Sequence, residues 1–269
     1  MISEDMDSNP WITKTTGEGG AGFDSQWDPW FIHPMRDAMV ASSDNDRSMA
    51  TVKNAISYSY NGQPFDRIIY TESHDEVANG RSRVPEEIWP GNADSWFSKK
   101  RSTLGAAVLM ATPGIPMLFQ GQELLEDGYF DDWDPLDWTK AETNQGIVQL
   151  YSDLISLRTN QNGLSKGLTG PNLNVFHLNE TEKVIGWHRW DQGGVGDDVR
   201  EGGQDDARGA GGAGDHRHPL AAQVRSQPEA PVRGLPRIRG QDGGVGADRR
   251  RRLPRREESH GVLQHHAVV

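Results

Sequence analysis

Apolar residues in the first 192 positions follow two spacings, one typical of helices and one typical of short buried strands. Helical spacing predicts four helices, at residues 31–40, 49–59, 99–111 and 147–158. Short apolar runs predict four strands, at residues 67–71, 115–119, 174–178 and 184–190. The first two strands alternate with helices, which favours a parallel α/β sheet, and the last two are expected to pair antiparallel.

Polar residues gather just past the predicted strands. Glu72, His74 and Asp75 follow the strand 67–71, and Glu123 comes soon after the strand 115–119. A (β/α) barrel carries its active site at the carboxyl ends of its strands. A doubly wound sheet does the same, so element order alone leaves both folds open.

Composition divides the chain into two unlike parts. Residues 1–192 hold all 21 aromatic residues and carry 15 Lys and Arg against 28 Asp and Glu. Residues 193–269 have no aromatic residue and no Lys, but 15 Gly and 13 Arg. Such a composition rarely forms a core, which predicts a globular front and a disordered or frameshifted tail from about residue 199.

Several classes of protein are disfavoured. The chain has no Cys, which excludes disulfides and thiol catalysis. The acidic front argues against nucleic-acid binding. The longest apolar stretch, residues 104–119, contains two prolines and is too short to cross a membrane. The start shows no signal-peptide pattern, so a cytoplasmic protein is expected. No metal and no cofactor are expected.

Two segments carry candidate chemistry. Residues 70–88 place three carboxylates and His74 within five residues of a buried strand, which suggests a ligand site or a structural network. The acidic loop 126–138 contains Trp133 and Trp138 beside carboxylates. Such a loop suits a sugar site, because aromatic faces stack on pyranose rings, although a structural loop fits the same residues.

Several of these segments resemble the α-amylase family in its glucan-branching form. ESHDEVANGRSRVPEEI (72–88) is similar to the motif of the seventh barrel strand. ISEDMDSNPW and GGAGFDSQWD resemble the fifth and sixth strands, and GIPMLFQGQE the eighth. NVFHL and VIGWHRW resemble the start of the all-β domain that follows the barrel.

The resemblance implies an α/β fold containing the C-terminal half of a (β/α)8 TIM barrel, strands five to eight. The barrel part would span residues 1–165, the start of the all-β domain 166–195 and the tail 196–269. It also implies a retaining mechanism on α-1,4-glucan, such as glycogen or starch. By position, Glu4 is the general acid/base and Asp75 the transition-state stabiliser. Five further residues are implied to bind substrate: His74, Glu72, Glu123, Trp133 and Trp138.

One part of the family pattern is missing from these 269 residues. The family's nucleophile is an Asp in a Gly-Phe-Arg-x-Asp motif, and no such segment occurs here. We therefore expect no glycosyl transfer by the isolated chain. An α-1,4-glucan hydrolase and a non-catalytic glucan-binding fragment stay as alternatives, and the oligomeric state is left open.

Overall fold

Two sheets and six α-helices make up the part of the chain that the structure, a computed structural model, describes: residues 1–193 and 222–225. The first sheet is parallel, in the order β1-β2-β3-β4. Its strands are β1 (Ile2–Ser3), β2 (Ser25–Trp27), β3 (Arg67–Ile69) and β4 (Ile115–Pro116). The helices are α1 (Pro29–Val40), α2 (Met49–Ser57), α3 (Val84–Ile88), α4 (Trp96–Ala111), α5 (Thr139–Thr143) and α6 (Gln145–Arg158). The predicted α/β class is confirmed.

Side-chain caps determine where the long helices start. The carboxylate of Asp28 accepts a hydrogen bond from the backbone N–H of Trp30, and Pro29 occupies the first turn of α1. Ser95 accepts from the N–H of Ser98, so α4 begins at Trp96. The prediction of a start at residue 99 is therefore wrong by three residues, because it followed apolar spacing and overlooked the cap.

The two faces of the parallel sheet have different surroundings. Ile69 lies in the main core with residues of α1, α2, α4 and the second sheet. Ile68 and Tyr70 point the other way and are packed by partly buried side chains of Trp27, Ile115 and Met117. Buried Ile32 of α1 belongs to the same cluster, so both faces carry buried side chains and the cluster on the second face is the smaller one.

The segment 115–119 differs from the buried strand that the sequence predicts. Only Ile115 and Pro116 form a strand, and all five residues are partly exposed. β4 is the last strand of the sheet, and within the described residues it pairs only with β3. The prediction of full burial is wrong because a strand at a sheet edge lacks the neighbour that would cover it.

A buried ion pair joins β3 to the start of α1. Arg67 and Asp28 are both 0% exposed, and the Arg67 Nη1 atom lies 2.9 Å from Asp28 Oδ2. The guanidinium also donates to the carbonyls of Ala55, Ile56 and Pro113. All five of its N–H groups can thus be satisfied, as burial of this cation requires.

The second sheet is antiparallel, in the order β5-β6-β7. Its strands are β5 (Asn172–Asn179), β6 (Val184–Trp190) and β7 (Ala222–Arg225). The predicted antiparallel pair 174–178 and 184–190 is confirmed. β7 lies within the predicted tail, whose other residues from 196 onward are outside the described ones. None of the described helices is long and apolar enough to cross a bilayer.

Candidate functional site

Three predicted site residues meet at one edge of the parallel sheet. Glu4 directly follows β1, and His74 and Asp75 come a few residues after β3. His74 Nε2 lies 3.7 Å from Glu4 Oε1 and 3.5 Å from Asp75 Oδ1. One ligand atom from each of the three lies within 4.8 Å of the others. Parallel strands end at the same edge, which explains how residues 70 positions apart come together.

The three side chains are available to a ligand. Glu4, His74 and Asp75 are 51%, 49% and 63% exposed at their side chains. Two carboxylates and an imidazole can accept and donate hydrogen bonds to hydroxyl groups, and they can exchange protons with a bound molecule. Exposed acidic groups often gather in this way without an ion, so the arrangement by itself assigns no metal.

The imidazole of His74 packs against one aromatic ring, which in turn packs against a second. The ring of Trp27 contacts His74 edge-on at 6.0 Å and Tyr70 at 5.0 Å between centroids. The Tyr70 hydroxyl donates to Met6 Sδ. Burial raises the pKa of Tyr70, and the carboxylates nearby, Glu4 and Asp75 among them, raise it further. Tyr70 is therefore a neutral structural support at physiological pH.

Glu72 lies in a different environment from the one its predicted role requires. It is 2% exposed, and its carboxylate accepts from Arg83 Nη1 at 3.2 Å and from the backbone N–H of Val84 at 2.6 Å. Burial raises the pKa of Glu72, and the charge of Arg83 opposes that rise. Both oxygens of this carboxylate are bound within the fold, which favours a structural role for Glu72 over the predicted substrate binding.

The other predicted substrate-binding residues lie after β4. Glu123 is half-buried in a 3₁₀ turn and lies outside the Glu4–His74–Asp75 cluster. Trp133 and Trp138 are 92% and 67% exposed. Both rings therefore present most of their surface to solvent.

The loop that carries these tryptophans is fixed against the loop that carries His74. The backbone N–H of Phe130 donates to the carbonyl of Val77 at 2.7 Å, and the N–H of Arg83 to that of Gly128 at 2.7 Å. Sequence reasoning missed Arg83, although it lies inside the 72–88 motif. The available signal was the position of this cation eleven residues after Glu72, the acidic residue at the end of the predicted strand.

Known 1,4-α-glucan branching enzymes are similar in sequence to part of the chain. Over 168 residues the chain is 31% identical to the 1,4-α-glucan branching enzyme GlgB of Prochlorococcus marinus strain MIT 9215, covering 61% of the chain and 21% of that enzyme. It is 32% identical over 141 residues to the GlgB of Bacillus caldolyticus, covering 51% of the chain and 20% of the enzyme. Both relatives are 1,4-α-glucan branching enzymes, and the similarity covers part of each. No family model matches the chain.

The solved structures extend this relationship to the fold. An α-amylase from Anoxybacillus superimposes with a TM-score of 0.52 at 18% identity, over 69% of this chain and 38% of that enzyme. At this identity the likeness concerns the fold alone. The chain spans about a fifth of the length of the branching enzymes it matches.

Proposed function

We propose that this chain forms part of an α-1,4-glucan site of the branching-enzyme type, which serves glycosyl transfer in glycogen metabolism. One observation carries the proposal: Glu4 from the end of β1 meets His74 and Asp75 from beyond the end of β3, with ligand atoms within 4.8 Å of one another. The similarity to two GlgB enzymes supports the choice of reaction class.

We further propose that β1 to β4 are strands five to eight of a (β/α)8 barrel, within a barrel part of residues 1–165. The parallel order, the intervening helices and the site at the carboxyl edge support this assignment. Residues 166–195 then begin an all-β domain, and the antiparallel pairing of β5 with β6 supports that boundary.

The proposed roles are those that the family resemblance implies for these positions. Glu4 protonates the leaving glycosidic oxygen and then takes a proton from the acceptor hydroxyl. Asp75 binds sugar hydroxyls and stabilises the positive charge that develops on the ring in the transition state. His74 donates a hydrogen bond to the same sugar, while Trp133 and Trp138 stack on neighbouring glucose units.

A retaining enzyme also needs a carboxylate nucleophile close to its acid/base. These 269 residues contain no Gly-Phe-Arg-x-Asp segment, so we expect glucan binding by the isolated chain without turnover. Amylose incubated with purified protein should keep its iodine colour and release no reducing sugar. Loss of colour without reducing sugar would reveal branching, release of reducing sugar would reveal hydrolysis, and either would refute the expectation of an inactive chain.

Calorimetry with maltoheptaose tests the binding site itself. The wild-type chain should bind it, and His74→Ala and Asp75→Asn should each weaken binding. A lost hydrogen bond to a charged group costs about 1.5–3 kcal/mol, roughly tenfold or more in Kd. Asp94→Asn is the matched control, because Asp94 is a similarly exposed carboxylate paired with Lys99. Equal binding by all four proteins would refute the proposed site.

A further inference from the structure

Arg83 lies where two loops of the proposed site meet. The first, the β3–α3 loop (residues 70–83), carries His74 and Asp75, and the second, the β4–α5 loop (residues 117–138), carries the exposed tryptophans. The side chain of Arg83 is 3% exposed. A cation this deeply buried needs partners for its N–H groups and its charge.

The partners of the Arg83 side chain come from both loops. Its Nη1 atom contacts Glu72 Oε2 of the first loop at 3.2 Å and donates to the carbonyl of Gln120 in the second at 2.7 Å. Its guanidinium carbon lies 4.7 Å from the ring centroid of Phe119, also in the second loop. The cation therefore joins the two loops through an ion pair, a hydrogen bond and a cation–π contact.

Backbone and ring contacts extend this junction toward the tryptophans. The backbone N–H of Arg83 donates to the carbonyl of Gly128 in the second loop. Two residues later, the backbone N–H of Phe130 donates to the carbonyl of Val77 in the first loop. The ring of Phe130 packs edge-on against Phe119, with centroids 5.1 Å apart. Phe119 is thus held between the guanidinium and the segment that leads to Trp133.

We propose that Arg83 is a positioning residue that holds the β4–α5 loop against the β3–α3 loop, so that glucan binding depends on its guanidinium. The inference rests on the proposed function, since it assumes that Trp133 and Trp138 bind the same glucan as His74 and Asp75. Arg83 itself touches no sugar. It acts through Phe119 and Gln120, which it fixes relative to Glu72.

The chemistry of the guanidinium explains why an arginine is suited to this place. Its Nη1 atom bonds a carboxylate and a carbonyl while the flat face of the group lies over a ring. A lysine would keep the charge beside Glu72 but would have no flat surface for Phe119. We therefore expect Arg83→Lys to fold and to bind maltoheptaose with a Kd between those of wild type and of a neutral variant.

The decisive variant removes the cation without leaving a buried charge. Arg83→Met alone would strand the carboxylate of Glu72, and the chain would unfold for that reason. The double variant Glu72→Gln with Arg83→Met has no charge at this position, and the amide oxygen of the introduced glutamine would still accept from the N–H of Val84. Arg81→Met is the matched control, because Arg81 is 52% exposed and its partner is Glu76 in the same loop.

Two measurements separate positioning from general stability. Hydrogen exchange should speed up at the amides of Phe130 and of position 83 in the double variant and stay unchanged in α1 and α4. If the loop is in place about a tenth of the time, the Kd for maltoheptaose rises about tenfold. The control should match wild type in both measurements.

Two results would overturn the inference. One is unchanged exchange at Phe130 in a folded double variant, and the other is a Kd for maltoheptaose equal to that of wild type. Failure of the wild-type chain to bind maltoheptaose would instead refute the proposed function. The exchange experiment would then still decide whether Arg83 holds the loops together.

Discussion

The buried pair of Asp28 and Arg67 should dominate the stability of the parallel sheet. Both side chains are fully buried, and Asp28 also caps α1 by accepting from the N–H of Trp30. Replacing Asp28 by Ala removes the counter-ion and the cap together. Replacing it by Asn removes the charge but keeps an oxygen that can cap the helix.

The size of the effect follows from these two losses. Removing one partner of a buried ion pair costs about 3–5 kcal/mol, because the other charge stays buried. Loss of an N-cap costs about 1 kcal/mol. We therefore expect Asp28→Ala to lower the free energy of unfolding by about 4–6 kcal/mol, and Asp28→Asn by about 1 kcal/mol less. A domain has only about 5–15 kcal/mol in total, so the Ala variant should be close to unfolding at room temperature.

Urea unfolding followed by tryptophan fluorescence measures both variants. With a urea dependence of about 2 kcal/mol per molar, a loss of 4 kcal/mol lowers the midpoint by about 2 M. Asp94→Ala is the control, because Asp94 is 71% exposed and pairs with Lys99 at the surface, so the change should cost below about 1 kcal/mol. A loss below about 1 kcal/mol in Asp28→Asn would refute the reasoning, since it would mean that the unpaired Arg67 is not penalised.

Three further predictions concern other parts of the chain. Arg158→Met should cost about 2–3 kcal/mol in urea unfolding, because buried Arg158 donates to one carbonyl in the last turn of α4 and to two in the turn that leads to β4; a loss below about 0.5 kcal/mol would contradict this. Hydrogen bonds from two backbone N–H groups at the start of α2 lower the pKa of Glu180 below its usual 4.5, so its stabilising contribution is present above that pH and is lost as pH falls through the lowered pKa. A pKa of 4.5 or above in an NMR titration would oppose that assignment. Trp133→Ala should weaken maltoheptaose binding by about 1 kcal/mol or more in calorimetry, whereas Trp89→Ala, on another exposed segment, should not; equal losses would argue against stacking at Trp133.

Local patterns in the chain were enough to predict its long elements. The helices at 31–40, 49–59 and 147–158 and the strand pair near 174–190 follow from apolar spacing, and the structure confirms them within a few residues. α3 and α5 were missed because five residues are too few to display a helical period. β1 and β2 are two and three residues long, and only the family resemblance indicated them.

By itself, therefore, the sequence determined the α/β class, the resemblance to glucan-branching enzymes and the chemical types of the candidate site residues. Only the tertiary structure decided that Glu4 meets His74 across 70 residues, because the register of parallel strands is a long-range property. It also decided the different environments of two nearby carboxylates, Glu72 and Asp75. One is buried against Arg83 and the other is exposed, and desolvation depends on what the rest of the chain packs around each.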